Sequence, residues 1–277
     1  MTSESAQPTG VPHVEHCMGT VFTIAVRDPG EWDVAIADVV CWLHRVDALF
    51  SPYQADSQIS RMRRGELTLN AADPLVREVL ALCDQYEQAT DGYFTAHLPD
   101  GLDPTGLVKG WAIERASARL RGRGSHNHAV NGGGDIQMAG EAAPGRPWRV
   151  GISDPQDPAR ILSAVVGRDF AVATSGVAER GAHIVNPRGN APTRDLASVT
   201  VVGGSLTCVD AYATAAFAMG DGALTWLEDQ PVEGLVVSAD RSVRCTRRFG
   251  LFAHRRHRGE RRVALRSSRG AGTAGTA

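Results

Sequence analysis

Residues 208–229, CVDAYATAAFAMGDGALTWLED, form a helical pattern within a half of the chain that otherwise consists of short apolar runs. The stretch is too long for one strand and its apolar residues do not alternate with polar ones, so it predicts a buried α-helix. The runs around it are valine-rich and bounded by turn residues, as is typical of strands. These runs are HAVN, WRVGI, ILSAVVG, FAVATS, ASVTVVG, GLVVSA and SVRC.

In the first part of the chain, helical patterns predominate. A β-rich run at 17–27, CMGTVFTIAVR, is followed by helical spacing of apolar residues over 31–50 and again over 74–90, where a proline stands at the start. A third helix is predicted from about 105 to 120, with DPTG as its entry turn. Helices and strands are thus partly segregated along the chain, which favours an α+β fold over a doubly wound α/β fold.

Length and composition predict a globular protein. The chain has 277 residues, of which 43% are hydrophobic, and this suffices for a substantial core. No run approaches the roughly 20 apolar residues of a membrane span, and the start shows no basic region followed by an apolar stretch, so we expect a cytoplasmic protein. The five cysteines form no C-x-x-C pair, which argues against a disulfide framework and a zinc site.

The charge is unevenly distributed. Residues 247–277 carry nine arginines and one acidic residue, whereas the rest of the chain has a net charge of −10. We therefore predict a disordered N-terminus at 1–15, a single domain at 16–246 and a basic, disordered tail at 247–277. The acidic body argues against a dedicated nucleic-acid-binding domain.

The helical stretch at 208–229 contains two polar residues that need partners. Asp210 and Thr214 are four residues apart, on one helical face that is otherwise apolar. A hard cation such as Mg²⁺ accepts a carboxylate and a hydroxyl as ligands and would compensate for their burial. The alternative is structural, with Asp210 as a helix N-cap and Thr214 bonded to its own helix.

A glycine-rich segment, NGGGD at 131–135, directly follows a predicted strand. Such a turn exposes backbone N–H groups and lets phosphates approach the chain closely. It matches neither the P-loop pattern nor G-x-G-x-x-G, since Gln137 occupies the position of the last glycine. A bulged hairpin is the structural alternative.

A cluster of polar residues lies within AVATSGVAERGAHIVNPRGNAP, residues 171–192. Its histidine, His183, is the side chain best suited to accept a hydroxyl proton near neutral pH. A structural, hydrogen-bonded histidine is the commoner outcome between strands. The same segment also gathers the polar residues Thr174, Ser175, Asn186 and Arg188, together with Gly176.

Lys109 is the only lysine in the chain, against 28 arginines. An ammonium is a compact point charge on a flexible stem, whereas a guanidinium is a wide planar fork. The lone lysine therefore indicates a tight site, although arginine bias could also have left one lysine by chance.

In their order along the chain, these motifs resemble the FAD:protein FMN transferase family, often called ApbE. The resemblance runs from about Met18 to Val237. Nine segments carry it: MGTVFTI, FSPYQADSQISRM, TDGYF, LDPTGLVKGWAIERA, VNGGGDI, WRVGISDP, AVATSG, HIVNPRG and DAYATAAFAMG.

The resemblance implies a fold of two closely packed subdomains with a flavin cleft between them. It also implies a Mg²⁺-dependent activity, in which FMN is transferred from FAD to a Thr or Ser hydroxyl of a target flavoprotein and AMP is released. An FAD diphosphatase and a non-catalytic FAD-binding module are the alternatives. We expect no nucleic-acid partner and no membrane span.

The resemblance also implies roles for individual residues. Asp210 and Thr214 become metal ligands, together with a backbone carbonyl near Gly106. The isoalloxazine is placed near Met18 and Tyr53. The segments around the diphosphate contribute Asp103, Lys109, Gly132, Gly133, Gly134, Thr174 and Ser175. His183 joins these cofactor-binding residues and assists the attacking hydroxyl, while Lys109 neutralises diphosphate charge.

Two departures from the family pattern stand out. Many members are exported lipoproteins with an N-terminal cysteine anchor, and this sequence shows no such signal, so we expect its target to be cytoplasmic or to face the cytoplasm. In TDGYFTAH, Thr95 follows the phenylalanine where the family commonly has aspartate.

Overall fold

The computed structural model describes residues 11–176 and 195–252, and the backbone of 266–267. Within these residues the α-helices are α1 Asp33–Phe50, α2 Gln58–Arg63, α3 Pro74–Ala89, α4 Thr105–Gly122, α5 Leu206–Met219 and α6 Ala223–Glu228. The first strands are β1 His13–Cys17, β2 Thr20–Val26, β3 His97–Leu98, β4 Gly101–Leu102, β5 His128–Gly132 and β6 Asp135–Ala139. The later strands are β7 Trp148–Asp154, β8 Asp157–Gly167, β9 Ala171–Gly176, β10 Leu196–Gly203, β11 Glu233–Ser238, β12 Val243–Cys245 and β13 Arg266–Ser267.

A nine-stranded sheet forms the centre of the molecule. Its strand order is β1-β2-β5-β6-β9-β10-β11-β12-β13, and its neighbours are antiparallel except for β12 and β13. The strands β7 and β8 pair with each other as a separate antiparallel ribbon, inserted between β6 and β9. The sheet thus joins strands from both halves of the chain.

Two hydrophobic cores lie on opposite faces of this sheet. Alternate residues of β9 divide between them, with Ala171 and Ala173 in one core and Val172 in the other, as expected for a strand buried on both faces. The larger core packs α1, α4 and α5 against the sheet, and the smaller one packs the β7–β8 ribbon against it. The helices therefore form one layer, and the α+β class is confirmed.

The predicted helix at 208–229 is divided in the structure. Helix α5 ends at Met219, a 3₁₀ turn covers Gly220–Gly222, and α6 begins at Ala223. Gly220 has φ +64°, a left-handed conformation that glycine adopts without steric cost. The pattern of apolar residues continues across this break, which explains why the sequence predicted one helix.

The domain boundaries differ from the predicted ones at both ends. Strand β1 begins at His13, inside the segment that we predicted to be disordered, because its backbone pairs with β2. At the other end, Phe249 and Phe252 belong to the predicted tail. Phe249 is nevertheless fully buried in the smaller core, and the Phe252 carbonyl accepts the Val166 N–H. Burial of these aromatic side chains extends the domain beyond residue 246.

Candidate active site

Helices α4 and α5 pack so closely that glycines are required where they cross. A Cβ added at Gly110 would lie 2.7 Å from the Asp210 Cβ and 2.8 Å from the Leu206 carbonyl oxygen. One turn earlier, a Cβ at Gly106 would lie 3.8 Å from the Thr214 hydroxyl oxygen. The residue number falls from 110 to 106 on α4 where it rises from 210 to 214 on α5. The two helices are therefore antiparallel at this crossing.

The start of α5 is held by side chains from other elements. The Glu114 carboxylate accepts the Ser205 hydroxyl and the Thr207 N–H, both at 2.8 Å. The Gln137 side chain accepts the Leu206 N–H at 3.0 Å, which gives a structural reason for the glutamine two residues after the glycine-rich motif. Because Ser205 caps the helix through the Cys208 N–H, the N-cap interpretation of Asp210 is wrong.

Oxygen atoms converge at the crossing of α4 and α5. The Asp210 side chain is buried, and its Oδ2 accepts the Gly110 N–H at 2.9 Å. In a regular α-helix that N–H donates to the Gly106 carbonyl, so the Asp210 carboxylate competes with this carbonyl for the donor. The Thr214 hydroxyl lies 3.5 Å from the Ser175 hydroxyl of β9. The carboxylate and the hydroxyls at this crossing are donors of the kind that a hard cation accepts.

Lys109 forms an ion pair inside the same region. Its Nζ lies 2.6 Å from Oδ2 of Asp135, whose side chain is completely buried, and the lysine side chain is 13% exposed. The other oxygen of Asp135 accepts the Thr174 N–H at 3.0 Å, so one carboxylate connects α4 with β9. The Thr174 hydroxyl in turn lies 2.9 Å from the hydroxyl of Thr200 on β10.

Two hairpin turns with left-handed backbone lie next to this region. Met18 and Gly19 connect β1 to β2 with φ of +51° and +68°, and Gly133 and Gly134 connect β5 to β6 with φ of +61° and +97°. Positive φ at both central positions is typical of a type I′ turn. Such a conformation is uncommon for methionine and often accompanies a functional position. The glycine-rich motif is therefore a two-residue hairpin turn.

A cleft of about 640 Å³ opens beside Lys109. Its volume lies within the range of about 300–1,000 Å³ that is usual for small-molecule sites. The wall is formed by the β1–β2 turn, the end of α1 with the residues after it, the first turns of α4 and one residue of the β5–β6 turn. The lining residues are Met18, Gly19, Thr20, Val46, Asp47, Phe50, Ser51, Pro52, Tyr53, Gln54, Thr105, Val108, Lys109 and Gly133.

The structure brings several of the predicted residues together and separates others from them. Met18, Tyr53, Lys109 and Gly133 line the cleft, and the three predicted metal ligands meet at the helix crossing described above. Tyr53 is 92% exposed at the rim. The remaining predicted residues that the structure describes are not among those that line this cleft.

Asp103, Gly132 and Gly134 have structural contacts. The Asp103 carboxylate accepts the Thr105 N–H at 2.9 Å and so caps the start of α4. Gly132 packs against an aromatic ring, since an added Cβ would lie 2.6 Å from the Phe22 side chain. The Gly134 N–H donates to the Asn131 side chain within the turn. His183, Asn186 and Arg188 lie outside the described residues.

Sequence reasoning missed Asp135 and Glu114 as individual residues. Asp135 ends the glycine-rich motif that we singled out, so its place after the turn was the available signal. Glu114 lies in an ordinary helical pattern, and no local feature distinguishes it from a solvated glutamate. Only its distance from Ser205 and Thr207 in the fold reveals the contact.

Cys17, directly before Met18, is not suited to act as a nucleophile. Burial, together with the nearby Asp47 carboxylate, raises the pKa of its thiol to about 11. The thiolate is the nucleophilic form of cysteine, and it is scarce at neutral pH when the pKa is this high.

The fold and the site define a class of protein: an α+β domain with a cleft of small-molecule size against its helix layer and a group of oxygen atoms at the adjacent helix crossing. Among the described residues, no helix is long and apolar enough to cross a membrane. A sequence profile of the ApbE family matches residues 18–100 and 98–236. The chain belongs to the ApbE family.

Individual relatives agree with this assignment. A Vibrio cholerae protein named FAD:protein FMN transferase is 31% identical over 130 residues, which cover 43% of this chain and 39% of that protein. A Rhodobacter capsulatus protein of the same name is 34% identical over 128 residues, covering 43% of this chain and 24% of the relative. The aligned part therefore spans well under half the length of these relatives.

A solved structure confirms the fold over a larger range. The flavin transferase ApbE from Vibrio cholerae matches with a TM-score of 0.77 at 20% sequence identity. The match covers 87% of this chain and 98% of that structure. The ApbE-like fold predicted from the sequence motifs is thus confirmed.

Proposed function

We propose that this protein transfers FMN from FAD to a Thr or Ser hydroxyl of a target flavoprotein, with Mg²⁺ as the metal and AMP as the leaving group. The observation that carries the proposal is the position of Lys109, which lines the cleft on the same helix whose glycines contact the oxygen ligands Asp210 and Thr214. Relatives named FAD:protein FMN transferase support the choice of substrate.

The residues of the helix crossing fit Mg²⁺. Asp210, Thr214 and the Gly106 carbonyl supply oxygen atoms, and Mg²⁺ is usually bound by few protein oxygens together with substrate phosphates. When bound, the ion would neutralise the charge of the diphosphate. The protein itself positions these ligands. The contacts of Gly110 and Glu114 fix α5 relative to α4.

Lys109 supplies positive charge from the cleft side. The Asp135 carboxylate holds its ammonium in place, so the charge is positioned before a substrate arrives. Phosphoryl-type transfer depends mostly on positioning and charge stabilisation. We infer that Met18 and Tyr53, which also line the cleft, contact the isoalloxazine ring.

The proposed reaction exchanges the phosphoanhydride bond of FAD for a phosphoester bond to the acceptor. The acceptor hydroxyl oxygen attacks the phosphorus on the FMN side of FAD, the bond from that phosphorus to the bridging oxygen breaks, and AMP leaves with that oxygen. The proton of the hydroxyl goes to a base, for which His183 is our proposal from the sequence. A general base contributes roughly 10²- to 10⁴-fold to rate.

The test measures AMP and covalent flavin separately. Purified protein is incubated with FAD and Mg²⁺, with and without a candidate acceptor flavoprotein, and the denatured acceptor is examined for flavin fluorescence and for the mass of an attached FMN. AMP that appears only with a flavinylated acceptor supports the transferase. AMP without an acceptor would show an FAD diphosphatase instead, and FAD binding without AMP would show a binding module.

An Asp210→Asn variant tests the metal ligand without removing the contact to α4. The amide oxygen can still accept the Gly110 N–H, so the fold should persist, whereas the negative charge for the cation is lost. Because charge stabilisation by a metal contributes several kcal/mol, we expect AMP release to fall by about 10²-fold or more. Full activity at limiting Mg²⁺ would contradict this role, and circular dichroism checks that the variant is folded.

A further inference from the structure

A second group of potential metal ligands lies on α3, and it includes none of the residues at the helix crossing. Asp84 and Glu87 are three residues apart and share one helix face. His97 begins β3. One ligand atom of each side chain lies within 4.8 Å of the other two. Ligands bound at about 2.0–2.2 Å from one ion are up to about 4.4 Å apart, so small side-chain rotations suffice for coordination.

Thr95 connects two of these residues. Its hydroxyl donates to Oε2 of Glu87 at 3.0 Å and accepts the backbone N–H of His97 at 3.0 Å. The hydroxyl therefore fixes one carboxylate oxygen of Glu87 relative to the strand that carries His97. Hydrogen bonds of this kind orient the ligands of metal sites and contribute to their affinity.

Among the described residues, no ion pair neutralises the carboxylates of this group. Neither Asp84 nor Glu87 forms an ion pair with an arginine, lysine or histidine side chain in that part of the chain. A cation at this position would therefore meet the negative charge of both carboxylates.

We propose that Asp84, Glu87 and His97 bind a divalent transition-metal ion of the zinc type, with Thr95 orienting Glu87 and water completing the coordination. An imidazole with two carboxylates favours zinc, cobalt or nickel, whereas Mg²⁺ and Ca²⁺ prefer oxygen ligands alone. The proposed magnesium site at the helix crossing contains only oxygen donors, so the two sites differ in chemistry.

The ion would have a structural role in the segment that leads to α4. Phe94 packs near Gly106, since an added Cβ there would lie 3.3 Å from the phenylalanine ring. The Asp103 N–H donates to the Ala96 carbonyl at 2.7 Å. An ion that joins α3 to His97 would thus fix the connection between Phe94 and the start of α4.

The experiment titrates the full-length protein with Zn²⁺ by calorimetry in saturating Mg²⁺, which occupies oxygen-only sites. We expect a zinc-binding component in the wild type that is absent from His97→Ala and at least about 10-fold weaker in Thr95→Val. His126→Ala, which removes another exposed histidine, is the matched control and should retain the component. Zn²⁺ should also raise the melting temperature of the wild type but not of His97→Ala.

Two results would overturn the proposal. One is a wild type that binds no Zn²⁺ under these conditions. The other is a His97→Ala variant that binds Zn²⁺ with the wild-type stoichiometry and affinity, because zinc would then be held by other residues. His97 is exposed, so the variant should fold, and its circular dichroism spectrum verifies this. None of these measurements depends on flavin transfer, so the outcome is independent of the proposed function.

Discussion

Lys109 and Asp135 form a pair whose two members depend on each other. The carboxylate has no exposed surface, and the ammonium lies 2.6 Å away. Removing one partner of a buried ion pair leaves an uncompensated charge, which costs about 3–5 kcal/mol. The loss of the lysine therefore changes folding stability as well as any contact with a substrate, and the two effects need separate measurements.

A pair of variants separates these effects at the residue scale. We expect Lys109→Met to lower the free energy of unfolding by about 3 kcal/mol or more, and Lys109→Met/Asp135→Asn to recover most of it, because the neutral amide can still accept the Thr174 N–H. FAD affinity, measured by fluorescence titration, should stay weakened in the double variant. The difference from the wild type should shrink at high ionic strength, since salt screens charge.

Lys109→Arg completes the comparison. Its planar fork is wider than an ammonium and has to fit a position where the lysine is only 13% exposed, so we expect weaker FAD binding than in the wild type. If the double variant and Lys109→Arg both bind FAD as tightly as the wild type at low salt, Lys109 has no role in binding the substrate.

At the scale of elements, the antiparallel register of α4 and α5 determines the site. Three contacts join the two helices: Glu114 with Thr207, Gly110 with Asp210, and Gly106 with Thr214. Successive contacts are four residues apart on α4 and three or four residues apart on α5. Each contact lies about one turn from the next, because both helices have 3.6 residues per turn. A shift of either helix would separate Asp210 and Thr214 on α5 from Gly110 and Gly106 on α4.

Gly110→Ala tests this register. The new methyl group would lie 2.7 Å from the Asp210 Cβ and 2.8 Å from a backbone carbonyl, so the helices have to move apart. Overpacking of this kind typically costs about 1–3 kcal/mol of unfolding free energy, which urea unfolding measures.

Gly122→Ala is the control for helix propensity. It lies at the end of the same helix, and an added Cβ there would have no neighbour within 4 Å. This substitution should be neutral or stabilising by up to about 1 kcal/mol. Equal effects of the two substitutions would show that the crossing of α4 and α5 tolerates a side chain at residue 110.

At the scale of the whole molecule, His128 makes stability depend on pH. It is fully buried at the start of β5, with the hydroxyls of Ser117 and Ser125 each 2.8 Å from one ring nitrogen. Burial, together with the positive charge of Arg121, lowers the pKa of its imidazole to about 4. The ordinary pKa of histidine is about 6.5.

Between these two pKa values the unfolded chain binds a proton that the folded protein does not. The contribution of His128 to stability is therefore present above about pH 6.5 and is lost as the pH falls toward about 4. We expect urea unfolding to show a loss of about 2 kcal/mol from this residue between pH 7 and pH 5. His128→Asn should reduce the slope, and an unchanged slope in that variant would contradict the assignment.

The sequence by itself determined the local elements and the family of the protein. Apolar spacing and the proline at residue 74 predicted α3, which the structure starts with Pro74 and caps with Asp73. Valine-rich runs predicted β8 to β12 in outline, and the order of short motifs identified the ApbE family. These features follow from neighbouring residues, because helix and strand periodicity and turn chemistry act over a few positions.

The tertiary structure alone decided which residues meet. Asp135 pairs with Lys109, and Asp210 contacts Gly110. The second contact joins residues about 100 positions apart in the sequence, and no local pattern of residues encodes such a contact. The strand β1 extends to His13 because β2 supplies its backbone partners, and the break at Gly220 interrupts a continuous apolar pattern. Packing between distant elements selected these features, since burial and hydrogen-bond partners become defined only when the sheet and the helix layer come together.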